Sequence, residues 1–211
     1  MSGLTREKAL IFRITHIDNI PWIIEHGIHC RNSETFDPNY VNIGNEEIIN
    51  RRAVRQVPIH PGGVLSDYVP FYFTPFSPML LNIKTGWQGL HQRPMSEIVI
   101  CVTSLHLLAE QEIPFVFTDR HAGLEVAQFF DNLDSLSEID WNILRNQDFK
   151  RDPNDLGKVE RYQAEALIHN QLPLNSLKGF VCYGSEQKAQ LESEMGDCGA
   201  KILVKPSWYF Q

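Results

Sequence analysis

A chain of 211 residues, 43% hydrophobic and 21% charged, is long enough for one domain with a real core and excludes a disordered or fibrous architecture. No apolar run approaches the roughly 20 residues that span a bilayer, and MSGLTREKAL has no long apolar segment behind its charges, so a cytoplasmic protein without membrane contact is expected. The net charge of −7 excludes a broad electropositive surface holding duplex nucleic acid by counterion release, and leaves room only for local contacts.

In chain order, ALIFRITH (9–16) is a β-rich apolar run. DNIPWIIEHGI follows, with Asp18 as the expected N-cap, Pro21 in the first turn and Gly27 as the stop, which predicts a strand and then a short helix. Residues 31–67 are rich in Asn, Pro, Gly and charge, with one helical candidate at NEEIINRRA; irregular segments of such length are uncommon and often functional. YVPFYFTPFSPML (68–80) is interrupted by Pro70, Pro75 and Pro78, which argues against a long helix or a central strand and leaves a short strand and a turn. SEIVICVTS (96–104) and IPFVFTD (113–119) read as buried strands joined by LHLLAEQE as a short connector. The segment from about 121 to 160 predicts a helix around LSEIDWNIL and then an exposed loop through RNQDFKRDPNDLGKVE, with its Asp-Pro and Leu-Gly turn signals. Two more strands, around QAEALIH and LKGFVCYG, are joined by NQLPLNS, and the chain closes with ILVKPSWYF. These alternating types predict a mixed α+β sheet.

The run KVERYQAEALIH (158–169) holds two glutamates, Glu160 and Glu165, and its pattern suits either a strand or a helix. Alanine and glutamate favour a helix, but the preceding loop and Pro173 leave space for only a short one, and strand is preferred. Glu165 then shares a face with Gln163, Leu167 and His169, whereas Glu160 ends a charged stretch where a solvated carboxylate is expected. Cys30, Cys101, Cys182 and Cys198 are scattered singly, mostly in apolar runs, which predicts reduced thiols and no metal site. Local cations for nucleic acid occur at RRAVR (51–55) and between Arg145 and Arg161, where Lys150, Arg151 and Lys158 are interleaved with acids.

Four stretches together, IFRITHIDNIPWIIEHGI, NIGNEEIINRR, DYVPFYFTPFSPML and ERYQAEALIH, resemble the DarT family of bacterial toxins within the ADP-ribosyltransferase superfamily, from about residue 8 to Phe210. The resemblance implies a single-domain fold with a split β-sheet and NAD consumed as co-substrate without a metal. It also implies transfer of ADP-ribose to a thymine or guanine of single-stranded DNA, with the thymine-modifying branch favoured, and a DarG-like macrodomain antitoxin as partner. It places the catalytic carboxylate at Glu165 and a second functional residue at Arg52, which matches the spacing better than Arg51. His16 falls where a polar residue meets the adenosine-side ribose, although a core histidine capping a strand end is an equal reading. Tyr72 and Phe73 match positions lining the nicotinamide pocket; strand alternation admits one of them, and Tyr72 is favoured. Arg145, Lys150, Arg151 and Lys158 are the expected DNA contacts. The same chemistry on RNA or protein, or a non-catalytic binding module, are the alternatives.

On chemical grounds, cleavage of the nicotinamide N-glycosidic bond develops oxocarbenium character, and a carboxylate bound to the ribose 2′-hydroxyl stabilises that cation more than the ground state. Glu165 suits that role. Arg52, with an arginine's very high pKa, is a clamp rather than a proton acceptor.

Overall fold

The computed structural model describes residues 3–196 and 199–210. The strands are β1 Leu10–His16, β2 Ile28–His29, β3 Tyr68–Tyr72, β4 Ile98–Ser104, β5 Phe115–Thr118, β6 Phe129–Phe130, β7 Glu165–His169, β8 Gln171–Leu172, β9 Gly179–Cys182 and β10 Lys201–Val204. The helices are α1 Ile20–His26, α2 Glu46–Arg52, α3 Pro78–Thr85, α4 Leu105–Glu110, α5 Trp141–Asn146, α6 Lys158–Tyr162 and α7 Ser185–Met195. Eight strands form one mixed sheet in the order β10-β9-β4-β1-β3-β7-β5-β6, while β2 and β8 pair separately. All neighbours in the large sheet are antiparallel except β9 and β10, which α7 joins in parallel.

The sheet is split. β1 pairs with β4 along its whole length, but β1 and β3 share the single register pair Phe12 with Tyr72. This separation resolves the expectation that Pro70 bars its strand from the sheet interior, because β3 does lie between β1 and β7. A strand residue projects its N–H and C=O to the same side. The carbonyl of Pro70 accepts a hydrogen bond from Arg13 Nη1 at 3.0 Å, so the missing donor also faces β1, where the strands have parted and no ladder bond is lost.

Every residue of β4 is buried, as its unbroken Val/Ile run predicts for a strand covered on both faces. Alternation on β3 and β7 creates two environments. Phe71, Ala166 and Ile168 enter the main core, whereas Tyr68 and Leu167 join a smaller cluster with Val57, Leu65, Val116 and Ala122. Glu165 shares the face of Leu167 and lies opposite Tyr72 in the register, so the smaller cluster and the segments supplying it roof the carboxylate.

Several expectations need correction. Asp18 does not cap α1: a 3-10 turn over Ile17–Asn19 precedes that helix, and the His16 side chain accepts the Asp18 N–H. The connector LHLLAEQE contains α4, capped by Ser104, and the turn after β3 leads into α3, capped by Ser77. The exposed loop ends early, because α6 takes up Lys158–Tyr162 and places Glu160 on a helix; β7 then starts at Glu165, so both readings of KVERYQAEALIH hold over different residues. α7 lies in a stretch for which no element was expected. Cys30, Cys101 and Cys182 are buried free thiols, and burial pushes Cys101 up to about 12; Cys198 lies outside the described residues.

Candidate active site

Glu165 begins β7, 2% exposed. Its own N–H reaches Thr118 Oγ1 on β5 at 3.3 Å, which fixes the backbone at the strand's first residue. Both carboxylate oxygens are held by Arg52: Nη1 donates to Oε1 at 2.8 Å and Nη2 to Oε2 at 2.6 Å. The Ala122 N–H donates to Oε1 at 3.0 Å. Burial alone would raise the carboxyl pKa, but Arg52, His121 and the Ala122 amide more than offset it and hold Glu165 below the usual carboxylate range. Burial likewise opposes the Arg52 charge, and the Glu165 carboxylate overcomes it, so the guanidinium stays charged. The result is an ionised carboxylate at a buried strand end, held in a two-pronged fork.

Arg52 reaches this position because α2 is carried by the long irregular segment, which the fold pins at several points. Asn45 caps α2 through the Ile48 N–H. Asn19 bonds reciprocally with the Val41 backbone at 3.0 and 2.8 Å. Arg55 Nη2 lies 3.2 Å from the Leu124 carbonyl and 3.4 Å from that of Glu125, tying the residues after α2 to the loop that follows β5.

That loop supplies a residue that sequence reasoning missed. His121 Nδ1 lies 4.0 Å from Glu165 Oε1 and accepts the Gly123 N–H at 3.0 Å, while the backbone N–H of His121 donates to the Glu160 carbonyl. An accepting Nδ1 places the proton of the neutral ring on Nε2. Burial, reinforced by Arg52 and Arg51 against the opposing pull of Glu165, lowers the His121 pKa and keeps the ring neutral at pH 7. TDRHAG shows no periodicity and no motif spacing, so only the chain's return past β7 reveals this histidine. Tyr72, cross-strand from Glu165, is pushed up to about 12 by burial and by that carboxylate, so its hydroxyl remains a donor; it points at Met79 Sδ, 3.8 Å away.

A family model described as "ssDNA thymidine ADP-ribosyltransferase, DarT" matches residues 12–210. A DNA ADP-ribosyl transferase of Escherichia coli O127:H6 is 50% identical over 99% of this chain and 97% of its own. The chain belongs to the DarT family. The DarT of Thermus sp. 2.9, solved with ADP-ribosylated single-stranded DNA, superposes with a TM-score of 0.88 at 31% identity, covering 97% of each chain. The same protein solved with NAD+ gives a TM-score of 0.84 at 30% identity, covering 97% of this chain and 98% of that one. NAD-dependent transfer of ADP-ribose to DNA is the activity of the DarT family, and the α+β split-sheet fold is shared.

Within this DarT fold the expected site residues part company. Glu165, Arg52 and Tyr72 come together, and it is Arg52, not Arg51, that meets the carboxylate. Phe73 lies in the core instead, edge-on to Phe117 and Trp141 with centroids 6.1 and 5.6 Å away, because it continues the face of Phe71. His16 is buried with both ring nitrogens engaged, Nδ1 by the Asp18 N–H and Nε2 by Glu97 Oε2 at 3.3 Å. Glu97 is itself bonded to Arg93, which lines a 290 Å³ cavity together with residues 42–47, before and at the start of α2, and with Gly89, Leu90 and His91. Among the proposed DNA contacts, Lys150, Arg151 and Arg145 are exposed, but Lys158 is 8% exposed and paired with Asp148 at 2.9 Å. Arg161 is taken by Asp155 and Asp140. Among the described residues no group of three or more His, Cys, Asp or Glu can hold a metal ion, and no helix is long and apolar enough to cross a membrane.

Proposed function

We propose that this protein transfers ADP-ribose from NAD to a thymine of single-stranded DNA in a sequence-dependent way, releasing nicotinamide, as the toxin of a pair with a DarG-like macrodomain antitoxin. The observation that carries the chemistry is the buried Glu165 carboxylate, kept ionised by Arg52 and the Ala122 amide.

Loss of nicotinamide leaves positive charge at the anomeric carbon of the ribose. A fixed carboxylate bonded to the 2′-hydroxyl stabilises that charge, at typically 3–4 kcal/mol for one preorganised group. The fork must yield one Glu165 oxygen to the hydroxyl, and Arg52 keeps the other oxygen while orienting the site. A thymine ring nitrogen carries a proton that must leave as the new bond forms, and Glu165 can receive it once nicotinamide has departed. Neutral His121, with its proton on Nε2, donates a hydrogen bond toward a base carbonyl. The Tyr72 ring lines the nicotinamide side, a role that the burial of Phe73 denies to its neighbour. With both nitrogens already bonded, His16 shapes the Ile17–Asn19 turn, and the adenosine end is assigned in this reading to the cavity that Arg93 lines beyond Glu97.

Single-stranded DNA suits the chain's charge, since the base's pairing edge must be free of the duplex and a few cations suffice along an extended strand. Arg145, Lys150 and Arg151 remain candidates for that track, whereas Lys158 supports the loop through Asp148. The test is intact mass spectrometry of single-stranded oligonucleotides that differ only in one T or one G, after incubation with the protein and NAD. One ADP-ribose on the T-containing strand alone is expected. Modification of the G-containing strand alone, or NAD consumption with no DNA adduct, would overturn the base or the acceptor class respectively.

A further inference from the structure

We infer that Arg51 anchors a backbone phosphate of the DNA strand whose base enters the site, an inference that rests on the function proposed above. The last turn of α2 and the residues after it divide into two sides. Arg52 and Arg55, three apart, both turn inward, to Glu165 and to the carbonyls of Leu124 and Glu125. Arg51 and Val54, also three apart, are both exposed, Val54 at 76%. Arg51 is thus the sequence neighbour of the group that grips the catalytic carboxylate and yet lies on the solvent side of it.

Its partners set it apart from the other cations around the site. Arg120 is bonded to Asp119 at 2.9 and 2.7 Å, Lys158 to Asp148, Arg161 to Asp140 and Asp155, and Arg52 to Glu165. Among the described residues no side chain or carbonyl takes the Arg51 guanidinium in a hydrogen bond or ion pair. Its neighbour in the chain, Arg52, grips Glu165, which holds Arg51 one residue away from the group that meets the carboxylate. An exposed guanidinium fork with no internal partner matches phosphate oxygens in geometry and charge. The phosphates of both substrates share that chemistry, the phosphodiester of DNA and the pyrophosphate of NAD. The outward side of α2, with Val54 alongside to receive the apolar part of a nucleotide, favours the extended strand.

The test compares wild type, Arg51→Gln and Arg51→Lys for binding of a fluorescent single-stranded T-containing oligonucleotide across a range of NaCl concentrations, with the KM for NAD measured alongside. Removing one phosphate contact lowers the slope of log K against log salt by about 0.7 for a single strand. Arg51→Gln is expected to show that loss with weaker binding at low salt, and Arg51→Lys to retain most of the slope. Identical affinity and slope in Arg51→Gln would overturn the inference. So would a raised KM for NAD with unchanged DNA binding, which assigns the residue to the pyrophosphate. Failure of the wild type to bind single-stranded DNA would overturn both this inference and the proposed function, whereas DNA binding without transfer would overturn the function alone.

Discussion

At the scale of residues, the site turns on a carboxylate that is buried and still ionised. Glu165 is held down by Arg52 against a burial that works the other way, so removing Arg52 should reverse the sign of its contribution to stability. In the wild type a depressed folded pKa contributes stability that is present above the unfolded value of about 4.3 and is lost as pH falls through the folded value. Without Arg52, burial dominates, the folded pKa rises above the unfolded one, and stability is instead lost as pH increases. Arg52→Ala should therefore be destabilised at pH 7 by about 3 kcal/mol, the usual cost of orphaning a buried charge, and by much less at pH 4.5. Urea midpoints of both proteins at the two pH values check this; equal deficits at both would contradict the role given to Arg52. Sequence pattern placed Glu165 on a strand face, and the family resemblance implied its role and favoured Arg52 by spacing; that Arg52 turns to the carboxylate while Arg51 turns outward is seen only in the fold, since adjacent arginines on a helix end differ only in direction. His121 was invisible because its relevance comes from a loop crossing rather than from any local pattern.

At the scale of elements, the apolar runs were readable where the composition was unmixed: β1, β4, β5 and β9 follow ALIFRITH, SEIVICVTS, IPFVFTD and LKGFVCYG closely. Strand β3 was readable as a short strand but misplaced, because the cost of a proline depends on whether a neighbour needs its donor, and the split removes that need. Helices α3, α4 and α7 were missed, and the helical reading at α6 was passed over for a strand, for a different reason: short or polar helices take their stability from packing, which a single sequence does not display. The Gly27 stop of α1, by contrast, was legible and has a sharp physical cause. Gly27 adopts φ 82°, and a Cβ there would lie 2.6 Å from the Leu172 carbonyl oxygen of β8. Gly27→Ala should cost more than about 1 kcal/mol and loosen the β2–β8 pair, seen as a lower unfolding midpoint and faster amide exchange at Ile28. An unchanged midpoint would mean that the turn relaxes freely.

At the scale of the whole molecule, the sheet is divided between β1 and β3. One half, β10-β9-β4-β1, is a platform in which β9 and β4 are buried throughout while β10 is open to solvent; the other, β3-β7-β5-β6, carries Glu165 at the start of β7, cross-strand from Tyr72, the β3 residue that meets β1, and the long segment with α2 closes over it. Composition indicated an ordinary globular chain and argued against a broad basic surface, the alternation of predicted elements supplied the α+β class, and the split and the acceptor were implied only by the family resemblance. Two glutamates five positions apart now differ in kind. Glu165 is forked by Arg52, while Glu160 sits on α6, has one buried oxygen without a hydrogen-bond partner, and serves His121 through its backbone carbonyl. The most direct measurement is the rate of ADP-ribose transfer to a single-stranded T-containing oligonucleotide by Glu165→Gln and Glu160→Gln under saturating NAD. The predicted result is a loss of about 10²-fold or more for Glu165→Gln and only a few-fold for Glu160→Gln, whose backbone carbonyl is retained. Turnover within a few-fold of wild type in Glu165→Gln, or a larger loss in Glu160→Gln, would contradict the assignment of the catalytic carboxylate.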